Sequence, residues 1–152
     1  MLGSFLMGLV GGQRAMTPLA SVAVAAARGE LRADNGAPPI IAHPVFAAGA
    51  LVLAVGEMVG DQMKSAPDRI APIGLAARFM TSAVAGATLA PRGRRWLGAG
   101  IAGATAVIAA YPGWRIRIAS MARFGPAGAG FVEDAAILAS AFAIVRAWRK
   151  PL

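Results

Sequence analysis

Leu2 to Ala27, LGSFLMGLVGGQRAMTPLASVAVAAA, is the stretch that decides the fold. It is long and apolar enough to cross a bilayer, because a spanning helix needs about 20 mostly apolar residues. The run Gly11-Gly12-Gln13-Arg14 and the nearby Pro18 interrupt it. Two interpretations stay open: a membrane helix that tolerates Gly and Pro, or a broken helix whose freed backbone groups face a cavity.

The composition of the whole chain indicates the same environment. Of its 152 residues, 57% are hydrophobic and only 14% are charged, whereas a soluble domain carries about 25% charged residues. Such a chain has too little polar surface to coat a water-soluble globule. The sequence therefore predicts an integral membrane protein and argues against a soluble globular or a disordered chain.

Four more apolar stretches follow, at 40–63, 70–90, 96–114 and 124–145. They predict an all-α, polytopic membrane helix bundle of about five transmembrane or re-entrant helices, in a single domain over residues 1–152. Pro112-Gly113 is expected to kink or stop the fourth helix, and residues 115–123 to extend it along the interface. Tryptophan and tyrosine side chains near the ends of the stretches support these boundaries.

The basic residues are distributed unevenly between the two sides of such a bundle. With five spans, one side holds eight Lys and Arg residues, from the loops 28–39 and 91–95 and from the C-terminal segment. The other side holds five, so the positive-inside rule places the richer side in the cytoplasm and the N-terminus outside. A re-entrant segment in place of a span would change this arrangement.

Ionisable residues lie deep inside the predicted spans. They are Arg14, Arg78, Glu57, Asp61, Glu133 and Asp134. An ionised residue at mid-bilayer costs about 2.5–3.5 kcal/mol on insertion scales, so these side chains should point inward and pair. Glu57 and Asp61 share one face of a helix, whereas the adjacent Glu133 and Asp134 diverge by about 100° and need not share a partner.

A short motif occurs twice. Arg14-Ala-Met-Thr17 recurs as Arg78-Phe-Met-Thr81, and an acidic helix follows each copy. The match predicts a weak internal repeat and adds Thr17 to the candidate site, because transporters with internal repeats bind ligands where the repeats meet. The alternative is a chance match in an alanine-rich chain.

Several function classes are excluded by what the sequence lacks. It has no Cys, a single His in a predicted loop, and no nucleophile–base pair, phosphate loop or dinucleotide fingerprint. We therefore expect no catalytic residue, no metal and no cofactor. Most basic residues flank apolar runs, which argues against a nucleic-acid partner. The motifs Gly8-x-x-x-Gly12 and Gly56-x-x-x-Gly60 indicate close helix packing and a homo-oligomer, with a dimer as the first expectation.

The order of these motifs resembles a known family. It runs from the segment Gly8 to Ala20 through Gly56-Glu-Met-Val-Gly-Asp61, Ala66-Pro-Asp-Arg69 and Arg78 to Glu133-Asp134-Ala. This order is similar to that of the small bacterial membrane proteins of domain-of-unknown-function family 4126, over nearly the whole chain. The resemblance implies a multi-pass protein of the bacterial inner membrane and supplies no reaction.

The functional prediction is an ion- or proton-linked transporter or channel with a charged site at the membrane midplane. Its candidate residues are Arg14, Thr17, Glu57, Asp61, Arg78, Glu133 and Asp134. Its expected partners are the lipid bilayer and a small ion or an anionic solute. The alternative is a structural or accessory subunit of a membrane complex, in which the charges clamp the helices together.

Overall fold

The computed structural model describes residues 1–60 and 70–149 as an all-helical protein, as predicted. Within these ranges there are six α-helices, and two short 3-10 turns lie at Pro39–Ala42 and Arg92–Arg94. The helices are α1 Leu2–Gln13, α2 Met16–Ala27, α3 Pro44–Gly60, α4 Pro72–Leu89, α5 Arg95–Phe124 and α6 Pro126–Trp148.

The last four helices follow the predicted stretches closely. The helix α5 continues through Pro112 to Phe124, so this proline does not stop it, and residues 115–123 do extend it. A proline inside a helix removes one backbone donor, which neighbouring groups can replace in a tightly packed bundle. Gly125, with φ +76°, reverses the chain between α5 and α6.

Of the two interpretations of Leu2 to Ala27, the structure has the broken helix. Two helices of 12 residues occupy this stretch, and they meet at Arg14, whose backbone is extended (φ −137°, ψ 118°). Pro18 supplies the reason, because its ring crowds the carbonyl of residue 14 and its nitrogen cannot donate to that carbonyl. Gly11 and Gly12 weaken the preceding turn, since glycine is a poor helix former.

The helices α1 and α2 form an antiparallel hairpin. The hydroxyl of Ser21 in α2 lies 4.0 Å from the sulfur of Met7 in α1, and both residues are equally distant along the chain from Arg14. Met1, at the start of α1, lines a cavity of about 200 Å³ together with Leu31, which follows α2. Both outer ends of the hairpin therefore lie at the same end of the bundle.

We call this end the basic end, and define it by Met1, the loops 28–39 and 91–94, and the end of α6. Isolated antiparallel bridges join Leu31 to Arg149 and Asn35 to Pro91 across it. The segments contain Arg28, Arg32, Arg92, Arg94, Arg146 and Arg149, and Arg95 follows them as the first residue of α5. The N-terminus thus lies beside these loops, because the first stretch turns back on itself. This is the re-entrant arrangement for which the five-span assignment of sides does not apply.

Close contacts at glycine hold the hairpin against its neighbours. A Cβ atom on Gly8 would lie 2.6 Å from the carbonyl oxygen of Ala102 in α5, and one on Gly12 would lie 2.6 Å from the Cβ of Ala109. These residues follow one another in the same order on both helices, so α1 and α5 run in the same direction. Only glycine allows backbones to approach this closely.

In the described bundle, small or polar side chains lie inside, and large apolar side chains lie outside. Most of its buried hydrophobic residues are alanines, and its buried residues include Arg14, Arg78 and Asp134. Many large apolar side chains on its outer faces are exposed, such as Val52 at 71% and Phe142 at 64%.

One described helix is long and apolar enough to cross a membrane, the segment Arg92–Arg123, which covers all of α5 except its last residue. The apolar helices α1, α2 and α3 are shorter.

Candidate functional site at the hairpin tip

The break at Arg14 places two helix ends inside the bundle. The last carbonyls of α1 and the first N–H groups of α2 have no partner within their own helices, as at every helix terminus. The end of α1 carries partial negative charge and the start of α2 partial positive charge. The surrounding helices must supply groups that satisfy these termini.

A carboxylate from α3 caps the start of α2. Glu57 Oε1 accepts a hydrogen bond from the backbone N–H of Ala15 at 2.7 Å, and Oε2 accepts one from Met16 at 2.8 Å. A cap of this kind usually comes from the residue just before the helix, but Ala15 has no side-chain acceptor. The carboxylate also complements the positive end of the helix dipole.

An arginine from α4 caps the end of α1. Arg78, which is 4% exposed, donates from Nη1 to the carbonyl oxygens of Gly11 and Gly12, at 3.2 Å each. Its positive charge faces the negative end of the helix dipole. The two half-helices are therefore capped by opposite charges from two different helices.

A buried ion pair joins the tip itself to α6. Arg14 is fully buried, and both its Nε and its Nη2 donate to Oδ1 of Asp134, at 2.8 and 2.5 Å. The side chain of Asp134 is only 12% exposed. Because a buried charge without a counter-charge is strongly unfavourable, this pair fixes α6 against the tip.

Two polar side chains complete the tip. The hydroxyl of Thr81 in α4 donates to the carbonyl oxygen of Ala15 at 2.7 Å. Gln13 donates from Nε2 to the carbonyl oxygen of Ala109, at 3.2 Å, in the turn of α5 that precedes Pro112. The sequence analysis did not include either residue in the candidate site. The signal for Thr81 was its place in the second copy of the repeated motif, and the signal for Gln13 was its place in the run that interrupts the first stretch.

A second ion pair lies between the tip and the end of the bundle opposite the basic end. Arg117 of α5 donates from Nη1 to Oε2 of Glu133 in α6 at 2.7 Å, across the turn at Gly125. Glu133 and the adjacent Asp134 thus have different arginine partners. Arg117 and Glu133 also line a cavity of about 210 Å³ that reaches Gln13 at the tip.

On the opposite side of the tip, an apolar groove lies between α3 and α6, with α2 as its floor. Its volume is about 290 Å³, and Thr17 lies at its inner end. Thr17 is 2% exposed, and its hydroxyl has no hydrogen-bond partner among the residues described. A cavity that reaches Gln13 and an apolar groove that reaches Thr17 therefore lie beside the tip.

Helix geometry gives the depth of the tip along α6. A helix rises about 1.5 Å per residue, so α6 is about 34 Å long. Asp134 lies about 12 Å from its start and about 21 Å from its end by the same measure. Along α6 the tip therefore lies about a third of the way from the start, whereas Glu57 lies near the end of α3.

The structure brings six of the seven candidate residues into or beside one region. Arg14 and Asp134 form the ion pair, and Glu57 and Arg78 cap the helix ends. Glu133 is the residue before Asp134 in α6, and Thr17 lies in the first turn of α2. Asp61 lies outside the described residues.

The two copies of the repeated motif have different local structures. Arg14 lies in an extended break between two helices, whereas Arg78 lies within the continuous helix α4. Thr17 is buried in the first turn of α2, whereas Thr81 donates hydrogen bonds at mid-helix. The four-residue match therefore does not correspond to a locally repeated structure.

Neither a family model, nor a curated protein, nor a solved structure matches this chain. Among the described residues, no group of three or more His, Asp or Glu side chains converges in a way that would hold a metal ion.

Proposed function

We propose that this chain is a multi-span protein of the bacterial inner membrane, in which the α1–α2 hairpin enters from one face and ends at mid-depth. The helices α3 to α6 cross the bilayer, so the chain has four spans and one re-entrant hairpin. The resemblance to family 4126 belongs to this proposal.

The distribution of side chains supports a bilayer as the surroundings. Large apolar side chains face outward and small or polar ones face inward, whereas a soluble protein rarely exposes contiguous apolar surface of this extent. The length of α6, about 34 Å, suits a hydrocarbon core of about 30 Å. The helices α4 and α6 are 18 and 23 residues long, and the charged tip residues lower their mean hydropathy.

Within this class, the geometry best supports ion- or proton-linked transport through the hairpin tip. The observation that carries the proposal is a pair of opposed helix termini at mid-depth, capped by Glu57 and Arg78. Broken helices with such termini form ion sites in transporters, because their dipoles and free backbone groups bind ions without added charge. Arg14 and Asp134 then act as a gate between the cavity that reaches Gln13 and the apolar groove.

A second candidate function also has a specific observation in its favour. The ion pair Arg14–Asp134 is buried, and both helix ends are capped by side chains of the protein itself. A closed network of this kind suits a structural or accessory subunit whose charges fix the helix register. In that case we expect a stoichiometric partner on native purification.

Flux measurements on the purified protein in liposomes distinguish the two. The probes are H⁺, Na⁺, K⁺ and Cl⁻, each driven by its own gradient and read by a fluorescent indicator inside the vesicles. We expect the wild type to carry one of them, and the double variant R14Q/D134N, which removes both gate charges, to change the rate at least tenfold.

The matched control is R32Q/D34N, which removes an ion pair that is exposed at the basic end. It should leave the flux unchanged. Absence of flux in the wild type and in both variants would reject transport of these ions and favour the accessory subunit. Recovery of the protein in the soluble fraction after carbonate extraction would reject the membrane class itself.

The homo-oligomer belongs to the same proposal, with the exposed apolar faces as its interface. Light scattering in detergent measures the number of copies directly.

A further inference from the structure

The apolar groove between α3 and α6 extends well beyond the gate, from Thr17 at the tip to Arg28 at the basic end. Its walls are Leu51, Val55 and Met58 of α3 and Leu138 and Phe142 of α6. Its floor is α2, from Thr17 to the C-terminal cap Arg28. These residues follow one another along three helices, so the groove runs parallel to the bundle axis and opens sideways.

The two ends of the groove differ in polarity. Arg28 and Glu30 line the mouth at the basic end, whereas the wall residues toward the tip are apolar apart from Thr17 and Ser21. Arg28 is exposed and forms no ion pair with any carboxylate that the structure describes. The neighbouring Arg32 and Arg149 are paired, with Asp34 and Glu30 respectively.

We propose that this groove binds one acyl chain of an anionic phospholipid from the surrounding bilayer, with the lipid phosphate on Arg28. The groove runs in the direction of a lipid acyl chain. It has an arginine at the depth of the headgroups and apolar walls at the depth of the acyl chains. An arginine pairs with phosphate through parallel hydrogen bonds, and apolar walls at chain depth gain from burial. This inference rests on the proposed membrane location and not on transport.

Its test measures lipid binding by native mass spectrometry of the purified chain in a neutral detergent. The probes are dioleoyl phosphatidylglycerol and dioleoyl phosphatidylcholine, which have identical chains and different net charge. We expect the first lipid to bind the wild type about tenfold more tightly, the ratio that one good charge-assisted contact gives. The variant R28Q should remove this preference and keep the weaker binding of both.

A variant that fills the groove tests the contribution of the acyl chain to binding, apart from that of the headgroup. Val55 is 58% exposed on the groove wall, so V55W should fill the opening without disturbing the core, and it should lower the affinity for both lipids at least tenfold. The matched control is V52W, since Val52 is 71% exposed on the same helix and does not line the groove. It should bind both lipids as the wild type does.

Three outcomes would overturn the proposal. One is equal binding of V55W and V52W to both lipids; another is a phosphatidylglycerol preference that survives in R28Q. The third is a dimer in the same spectra that V55W dissociates while lipid binding is unchanged, which would make the groove a docking surface for a second copy. Recovery of the protein in the soluble fraction after carbonate extraction would reject the membrane location instead, so the two failures are distinguishable.

Discussion

At the scale of single residues, the hairpin tip is held by charges that satisfy backbone groups as well as each other. Glu57 and Arg78 cap helix ends, whereas Arg14 and Asp134 neutralise one another. These roles have different energetic consequences. Loss of a cap removes a moderate contribution, whereas loss of one member of a buried ion pair leaves an uncompensated charge.

The first prediction concerns the ion pair. R14Q should lower the free energy of unfolding in detergent micelles by about 3–5 kcal/mol, because Asp134 remains buried without its counter-charge. The double variant R14Q/D134N should recover much of this loss, since neither charge is then buried. The exposed pair provides the control: R32Q should cost no more than about 1 kcal/mol. A cost of similar size for R14Q and R32Q would contradict the assignment.

The second prediction concerns the cap on α2. E57A should lower the free energy of unfolding by about 0.5–2 kcal/mol, the usual value of an N-terminal cap. E57Q should cost less than E57A, because its amide oxygen still accepts one of the two backbone hydrogen bonds. E30A is the control, since Glu30 is a partly exposed residue that lies 3.7 Å from Arg149. If E57A and E57Q are both neutral, Glu57 does not cap the helix.

At the scale of helices, the hairpin depends on close approach between α1 and α5. Glycine at position 8 lets the backbone of α1 lie against Ala102 and Thr105. Gly100 of α5 has no such role, since a Cβ there would meet nothing within 4 Å. The two positions therefore give opposite expectations for the same substitution.

The third prediction compares these glycines. G8A should lower the free energy of unfolding by about 1–3 kcal/mol, because the added carbon overlaps backbone atoms of α5. G100A should raise it by up to about 1 kcal/mol, since alanine is the better helix former and the space is open. Thermal unfolding in detergent, followed by circular dichroism, measures both. A stabilising G8A would show that the helices lie farther apart than described.

At the scale of the whole molecule, the hairpin decides the topology. A single span over residues 2–27 would separate the N-terminus from the loop 28–39, whereas the hairpin places them at the same end of the bundle. The absence of Cys from the sequence makes this arrangement easy to test, because each introduced Cys is the only one.

The fourth prediction concerns accessibility from the two sides of the membrane. L2C and A33C should react with a membrane-impermeant maleimide from the same side, because both positions are exposed at the basic end. A122C, exposed near the end of α5, should react only from the other side. Labelling of intact cells and of inverted vesicles gives the comparison. Reaction of L2C from the side of A122C would restore the five-span arrangement.

Much of the site was predictable from composition and position alone. Charged residues in apolar stretches must pair or leave the bilayer, so Arg14, Arg78 and Asp134 were identified as inward-facing without any structure. The particular partners were not predictable. Arg78 bonds backbone carbonyls of α1 and Glu57 bonds backbone N–H groups of α2, because the break created those groups and no sequence pattern marks which distant side chain will reach them.

The sequence by itself determined the helical class, the outward apolar faces and the weak point at Gly11 to Pro18, because these depend on local propensity and on the free energy of burying side chains. Only the tertiary structure decided that the chain turns back at Arg14. A broken helix can continue or reverse at similar local cost, and the choice depends on contacts with α4, α5 and α6 that lie far along the chain.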